Sequence, residues 1–226
     1  MKTPEDLERS RERVRELAGE YAARGDALGW FEEFYRESAG NPDAIPWADL
    51  EPNAYFTSWA ESTALEGNGR KALVVGCGLG DDAHYLRELG FDVTAFDISP
   101  TAIEWARRLY GDRGITFETA DLFRPPPAWI GSFDFVLEVY TIQPLPMEMR
   151  PNVIDAVAAF VAPGGALVVV TRCRPDDVEP DVIPWPLSRR DLSRFKENGL
   201  VETSFVVMDA EAEDEPPRFV VEYRKM

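Results

Sequence analysis

The 226-residue chain is predicted to fold as an α/β protein, a doubly wound and mostly parallel sheet preceded by a helical segment. Three observations carry this reading. Short β-branched runs alternate with helical stretches from Lys71 onward. A glycine-rich loop joins the first of those runs to the helix after it. Acidic residues stand at the ends of the next two runs. Strand–helix alternation of this kind implies right-handed βαβ units and a parallel sheet.

The N-terminal part reads as helical. Residues 3 to 25 carry Leu7, Val14, Leu17 and Tyr21 on one stripe between Arg and Glu residues. Thr3, Pro4 and Asp6 form a start signal, and Gly25 a stop. A second helix is predicted from Ala27 to Ser38, with Trp30, Phe31, Phe34 and Tyr35 on one side. Aromatics at helical spacing usually pack, so packing is the plainer reading of this cluster. Asn41 to Pro52 reads as a Pro-rich loop, and Tyr55–Trp59 as a short aromatic segment. Residues 1–66 are thus expected to form a helical cap or lid, and residues 67–226 the core.

In the core, strands are predicted at Lys71–Gly76, Asp92–Asp97, Ile115–Ala120, Phe133–Glu138 and Gly165–Thr171. The helices between them fall near Asp82–Leu89, Pro100–Tyr110 and Met147–Val161. The stretch DLFRPPPAWIGS is too rich in proline for a helix. Pro186 to Gly199 reads as one more helix. Two strands follow, Val201–Met208 and Arg218–Arg224, joined by the acidic AEAEDEPP as a solvated turn.

Composition narrows the function. Asp and Glu outnumber Lys and Arg by 41 to 24, a formal charge of -17. Binding to nucleic acid through phosphate neutralisation needs the opposite balance. An anionic membrane surface is equally unfavourable. No apolar run reaches ~18 residues, the length of a membrane span. The first residues lack the apolar core of a secretion signal, so the expected location is cytoplasmic. Two cysteines, Cys77 and Cys173, and one histidine, His84, leave no disulfide framework and no Cys/His metal site.

The sharpest motif is Val75-Gly76-Cys77-Gly78-Leu79-Gly80-Asp81. Glycine lets the backbone turn tightly and approach a ligand. A dinucleotide fingerprint has glycines at its first, third and sixth positions. Here they stand at the first, third and fifth, and Asp81 takes the sixth. A carboxylate there repels a pyrophosphate but not a ligand without one. The second strand ends Phe96-Asp97-Ile98-Ser99-Pro100, which places Asp97 to hold the two hydroxyls of a ribose. Ser99 and Pro100 then start a helix. The third strand ends Thr119-Ala120-Asp121-Leu122. Asp121 could accept from an adenine amino group while Leu122 packs on the ring. All these positions lie at carboxyl ends of strands, where open α/β sheets bind ligands.

The motifs VVGCGLGDD, VTAFDISPTAIEWAR, ETADLF and FDFVLEVY together resemble the class I S-adenosylmethionine-dependent methyltransferases. The resemblance implies a Rossmann-like, seven-stranded sheet with an antiparallel last strand, and S-adenosyl-L-methionine as cofactor. It implies that Gly76, Cys77, Gly78 and Gly80 line the methionine and ribose portion. Asp97 and Ile98 would hold the ribose, Asp121 and Leu122 the adenine, and Glu138 and Val139 would sit below the sulfonium. Ile45-Pro46-Trp47 and Ile183-Pro184-Trp185-Pro186-Leu187-Ser188 look similar to segments of the thiopurine and thiol methyltransferases. In that branch the first segment folds over the cofactor, which makes Trp47 a cofactor-lid residue. Leu50 and Ala54 stand where that branch has a glycine and a proline.

Methyl transfer from a sulfonium needs position and a dry site more than acid–base machinery. A thiol with a pKa near ~8.5 arrives partly ionised. The few candidate bases in the chain favour such a soft nucleophile. The fourth strand runs Leu137-Glu138-Val139-Tyr140-Thr141-Ile142-Gln143-Pro144. It lacks the Asp/Asn-Pro-Pro-Tyr/Phe pattern that holds a planar amide or base nitrogen. Tyr140 is the candidate catalytic residue, just past the strand end. Arg172 and Arg174 flank Cys173 and could hold an anion, or could simply lie on a surface loop. His84 reads as a partly exposed helix residue, and Cys77 as a small filler. The expected function is methylation of a small molecule, a thiol or other soft nucleophile, by a monomer or homodimer. The alternatives are an O- or N-methyltransferase, a non-catalytic cofactor binder, and an NAD-type oxidoreductase.

Overall fold

The computed structural model describes residues 3–210 and 215–226. The acidic turn predicted after Met208 lies partly outside the described residues. Seven strands form one sheet in the order β3-β2-β1-β4-β5-β7-β6. They are β1 (Lys71–Val75), β2 (Asp92–Asp97), β3 (Thr116–Thr119), β4 (Phe133–Val139), β5 (Val161–Arg172), β6 (Leu200–Met208) and β7 (Arg218–Lys225). The first five run parallel, and β7 inserts antiparallel between β5 and β6. This is the doubly wound sheet with an antiparallel last strand that the sequence predicts.

The helices are α1 (Pro4–Ala22), α2 (Gly29–Glu37), α3 (Ala54–Ser62), α4 (Asp81–Glu88), α5 (Pro100–Tyr110), α6 (Arg150–Ala159), α7 (Arg189–Leu192) and α8 (Arg194–Glu197). Their starts follow local chemistry. Thr3 and Asp6 close a capping box on α1. The Ser99 hydroxyl accepts the Ala102 N–H and Pro100 takes the first turn of α5, where a missing N–H is harmless.

Strand alternation sorts the core into two layers. Leu73, Val136 and Leu167 face α6, α7 and α8 through Val153, Val157, Leu192 and Phe195. Ala72, Phe135 and Val168 face the other way, toward Phe56, Trp59, Leu86 and Ile103 of α3, α4 and α5. A third cluster lies above the glycine loop. There Val14 and Leu17 of α1 and Trp30, Phe34 and Tyr35 of α2 pack with Leu79, Ala102 and Trp105.

Three elements differ from the sequence expectation. Tyr55–Trp59 belongs to a full helix, because the Asn53 side chain accepts the Tyr55 and Phe56 N–H groups and caps it. The helix expected over Pro186–Gly199 is two short ones that meet at Ser193. β5 starts at Val161, which pairs with Phe133 before an irregularity in the register, so α6 ends sooner than expected.

Candidate active site

The glycine loop leaves β1 and enters α4 through three left-handed residues, Gly76, Gly78 and Gly80. All three are crowded: at Gly76 a Cβ would stand 2.5 Å from the Thr141 hydroxyl. At Gly80, with φ +94°, a Cβ would stand 2.9 Å from the Phe117 ring. At Gly78 it would stand 3.1 Å from the Tyr35 hydroxyl. Main-chain bonds hold the loop. The Cys77 N–H donates to the Phe96 carbonyl at 2.8 Å. The Gly78 N–H donates to Asp97 Oδ2 at 3.0 Å.

Asp97 is the centre of this arrangement. Its other oxygen accepts the Ser99 N–H at 2.9 Å. The carboxylate therefore ties the glycine loop to the start of α5. It is buried, and burial pushes its pKa up against the N–H bonds from Ser99, Gly78 and Ile98. Three N–H bonds leave one of its four acceptor positions open, so the group can still receive a hydroxyl. Ile98 beside it is half-buried. At the end of β3, Asp121 Oδ1 accepts the Phe123 N–H at 2.8 Å, and Leu122 is buried in the sheet layer. The cradle suits a nucleoside: a backbone loop stripped of Cβ atoms, a buried carboxylate with a spare acceptor position, and a second carboxylate one strand over. Cys77 has its thiol pushed up by burial, which fits a filler role.

The end of β4 forms the adjoining wall. Glu138 is fully buried. Its Oε1 accepts the Thr141 and Ile142 N–H groups at 2.6 and 3.0 Å. Its Oε2 is buried with no partner among the described residues. Burial raises its pKa to about 7. This carboxyl hooks the chain into a turn in which Tyr140 takes φ +59°, a conformation that costs an ordinary residue about 1–2 kcal/mol. The Thr141 hydroxyl then donates to the Val75 carbonyl at 2.9 Å, against the glycine loop. Val139 is half-buried. The Tyr140 hydroxyl accepts from Arg218 Nε at 2.8 Å.

The N-terminal segment closes over the loop. Trp47 Nε1 donates to the Tyr35 hydroxyl at 2.9 Å, and the rings meet edge-on. Burial raises the Tyr35 pKa far above its ordinary value, and Asp97 nearby adds to this. Glu32 of α2 fastens the segment to α5. It accepts from the Ser99 and Thr101 hydroxyls at 2.7 Å each and from the Thr101 N–H at 3.1 Å. An apolar cavity of about 260 Å³ opens between α1, Trp30, Pro144 and Trp185.

The two arginines part company, and His84 is the partly exposed helix residue that the sequence predicts. Arg174 binds Asp191 at 3.0 Å and the Pro186 and Val178 carbonyls, so it anchors a loop. Arg172 instead turns toward Tyr140. His84 stacks on Tyr110 at 4.6 Å on α4. Sequence reasoning missed Glu32 and Arg218. Neither lies in a motif, and both find their partners across long chain separations.

The strand order, the glycine loop and the acidic strand tips define a class I methyltransferase fold. Residues 72–165 match the family model of the methyltransferase domain. The 2-heptyl-1-hydroxyquinolin-4(1H)-one methyltransferase of Mycobacteroides abscessus is 28% identical over 174 residues, 73% of this chain and 75% of that protein. The probable thiol methyltransferase 2 of Arabidopsis thaliana is 27% identical over 160 residues, 69% of this chain and 66% of that one. The chain spans about half the length of other curated methyltransferases it matches. Among solved structures, the 1,6-didemethyltoxoflavin-N1-methyltransferase of Burkholderia thailandensis, with S-adenosylhomocysteine bound, superposes with a TM-score of 0.67. That pair is 18% identical and covers 92% and 90% of the two chains. The chain thus carries a methyltransferase domain of the S-adenosylmethionine-dependent type. Among the described residues, no helix is long and apolar enough to cross a membrane.

Proposed function

We propose that the chain methylates a small molecule whose nucleophile arrives ionised or ionises readily, a thiol first. The observation behind this reading is the state of the polar groups at the end of β4. Tyr140 receives a hydrogen bond from a guanidinium, which leaves its own proton to donate. Glu138 spends one oxygen on the turn and is sealed from solvent. On the Tyr140 side the wall therefore offers donors and positive charge, and Glu138 has no exposed surface from which to take an acceptor's proton. The acceptor site is suited to a nucleophile that has already lost its proton.

S-adenosylmethionine supplies an electrophilic methyl group on its sulfonium. The chain's own residues supply position. Gly76, Cys77, Gly78 and Gly80 would line the methionine and ribose portion. Asp97 and Ile98 would hold the ribose, Asp121 and Leu122 the adenine, and Glu138 and Val139 the floor below the sulfonium. Trp47, held by Tyr35, would cover the cofactor. Residues 1–66 would act as the lid and Tyr140 would touch the acceptor. The second reading is an oxygen nucleophile, favoured by the relative whose acceptor is an N-hydroxyquinolone.

The test is S-adenosylhomocysteine release with matched aromatic thiol, phenol and aniline acceptors. The thiol is expected to turn over fastest. Turnover of the aniline alone would overturn the reading. For the site, Asp97→Ala is expected to weaken S-adenosylhomocysteine binding at least about tenfold, the scale of losing charge-assisted hydrogen bonds. Undiminished binding in a folded variant would refute the assignment.

A further inference from the structure

We propose that Tyr140, Arg172 and Arg218 form an anion-binding subsite, and that the methyl acceptor carries a carboxylate or a similarly compact anion. The inference rests on the acceptor reading above and deepens it.

The argument begins with strand register. Arg172 ends β5 and Arg218 begins β7, and the two are directly paired across the antiparallel ladder. Like charges opposite one another on neighbouring strands are destabilising. Both are withdrawn from water: their side chains are 23% and 5% exposed. Burying a guanidinium is costly unless an anion compensates it. Glu215 supplies one carboxylate. It pairs with Arg218, with Arg172 at 3.4 Å, and with Arg11 of α1 at 3.1 Å. Three guanidiniums thus share one carboxylate among the described residues, an excess of two positive charges. A chain with a net charge of -17 keeps this excess half-buried at one place.

That place adjoins the cofactor cradle. Arg218 Nε holds the Tyr140 hydroxyl, and both guanidiniums lie 5.7 Å from the Tyr140 ring centre. The next residue, Thr141, has its side chain against Gly76, within 2.5 Å of where a Cβ would stand. An anion beside Tyr140 therefore lies one residue from the loop. It would meet a hydroxyl with a free proton and the Arg172 guanidinium, whose planar edge suits a carboxylate, while Arg218, bound to Tyr140, Glu215 and the Pro216 carbonyl, holds the hydroxyl in place. A structural ion pair needs one guanidinium per carboxylate, and among the described residues this cluster has two beyond that. Burial holds the Arg172 pKa below its ordinary value, whereas Arg218, against its own burial, is held above it by Tyr140 and Glu215, so Arg172 is the less compensated of the two.

The experiment is titration calorimetry on the full chain saturated with S-adenosylhomocysteine. The probes are 4-mercaptobenzoate, 4-hydroxybenzoate and 4-aminobenzoate, each beside its methyl ester. At least one acid is expected to bind about tenfold or more tighter than its ester. Arg172→Gln is expected to remove most of that preference and leave S-adenosylhomocysteine affinity unchanged. Glu215→Gln, which removes the internal competitor, is expected to tighten binding of the acid severalfold. Arg172 is the first choice for substitution because Arg218 is more deeply buried, and a thermal melt checks folding of each variant. Equal binding of acids and esters, no binding of any acid, or a preference that survives Arg172→Gln would overturn the subsite. Product analysis separates the two readings. An acid that binds by Arg172 but is never methylated overturns the acceptor assignment. Loss of S-adenosylhomocysteine binding in the wild type would overturn the cofactor-site reading instead.

Discussion

Glu138 makes a sharp test of how burial sets the electrostatics of this site. Its side chain has no solvent exposure, one oxygen holds two N–H groups, and the other has no partner among the described residues. Its pKa rises from 4.5 to about 7. The folded state therefore keeps a proton that the unfolded chain has already lost between those pH values. Its stabilising contribution is fully present below pH 4.5 and is lost as pH rises through about 7. At 1.36 kcal/mol per pH unit, that gap is worth about 3 kcal/mol. Glu138→Gln has no charge to bury and keeps a carbonyl for Thr141 and Ile142. Its amide nitrogen would take the place of the unpartnered oxygen and lack an acceptor there, a penalty that does not depend on pH. The stability of Glu138→Gln minus that of the wild type is thus expected to rise by about 3 kcal/mol from pH 4.5 to pH 8. Urea denaturation of the cofactor-free protein at half-unit pH steps measures it. Asp82, raised to about 6 by burial, slopes both curves equally and cancels. A difference that stays flat with pH, or that falls, would refute the argument.

Other outcomes follow from the same geometry. Gly80→Ala places a Cβ against the Phe117 ring at a left-handed residue, so a loss of about 2 kcal/mol is expected in a thermal or urea melt. A loss under 0.5 kcal/mol would mean the turn relaxes at little cost. Asp191→Asn leaves Arg150, whose side chain is 4% exposed, without its ion-pair partner, and a loss of about 3 kcal/mol is expected. Arg174 shares that carboxylate, so the loop ending at Trp185 should also become more susceptible to limited proteolysis.

What the chain reveals locally is what local chemistry dictates. Left-handed turns in the glycine loop require residues without a Cβ, so Gly76, Gly78 and Gly80 mark it in any reading. Near-continuous apolar runs in Lys71–Val75 and Phe133–Val139 mark buried strands, because each strand is covered by helices on both faces. Asp97 and Asp121 are legible because strand tips are where such sheets bind. Helix limits are less legible. The apolar spacing over Pro186–Gly199 suits a single helix, yet the chain turns at Ser193 into two short helices whose Leu192 and Phe195 share one layer beneath the sheet. The cap on α3 depends on an Asn53 side chain that an aromatic run conceals.

Tertiary structure alone decides the pairings that join distant segments. Glu32 meets Ser99 and Thr101 only because α2 lies over α5. Arg172 meets Arg218 only because β7 inserts antiparallel beside β5 in one register. A residue type and its neighbours in sequence specify backbone geometry and which face is buried. They do not specify the partner of a charge, because that partner is set by packing between elements whose separation along the chain leaves no periodic trace. The glycine loop and the acidic strand tips, the proposed cofactor site, are built from turns and strand ends, so they are written in the sequence. The cluster of Tyr140, Arg172 and Arg218 is built from register and packing, so it emerges only in the folded chain.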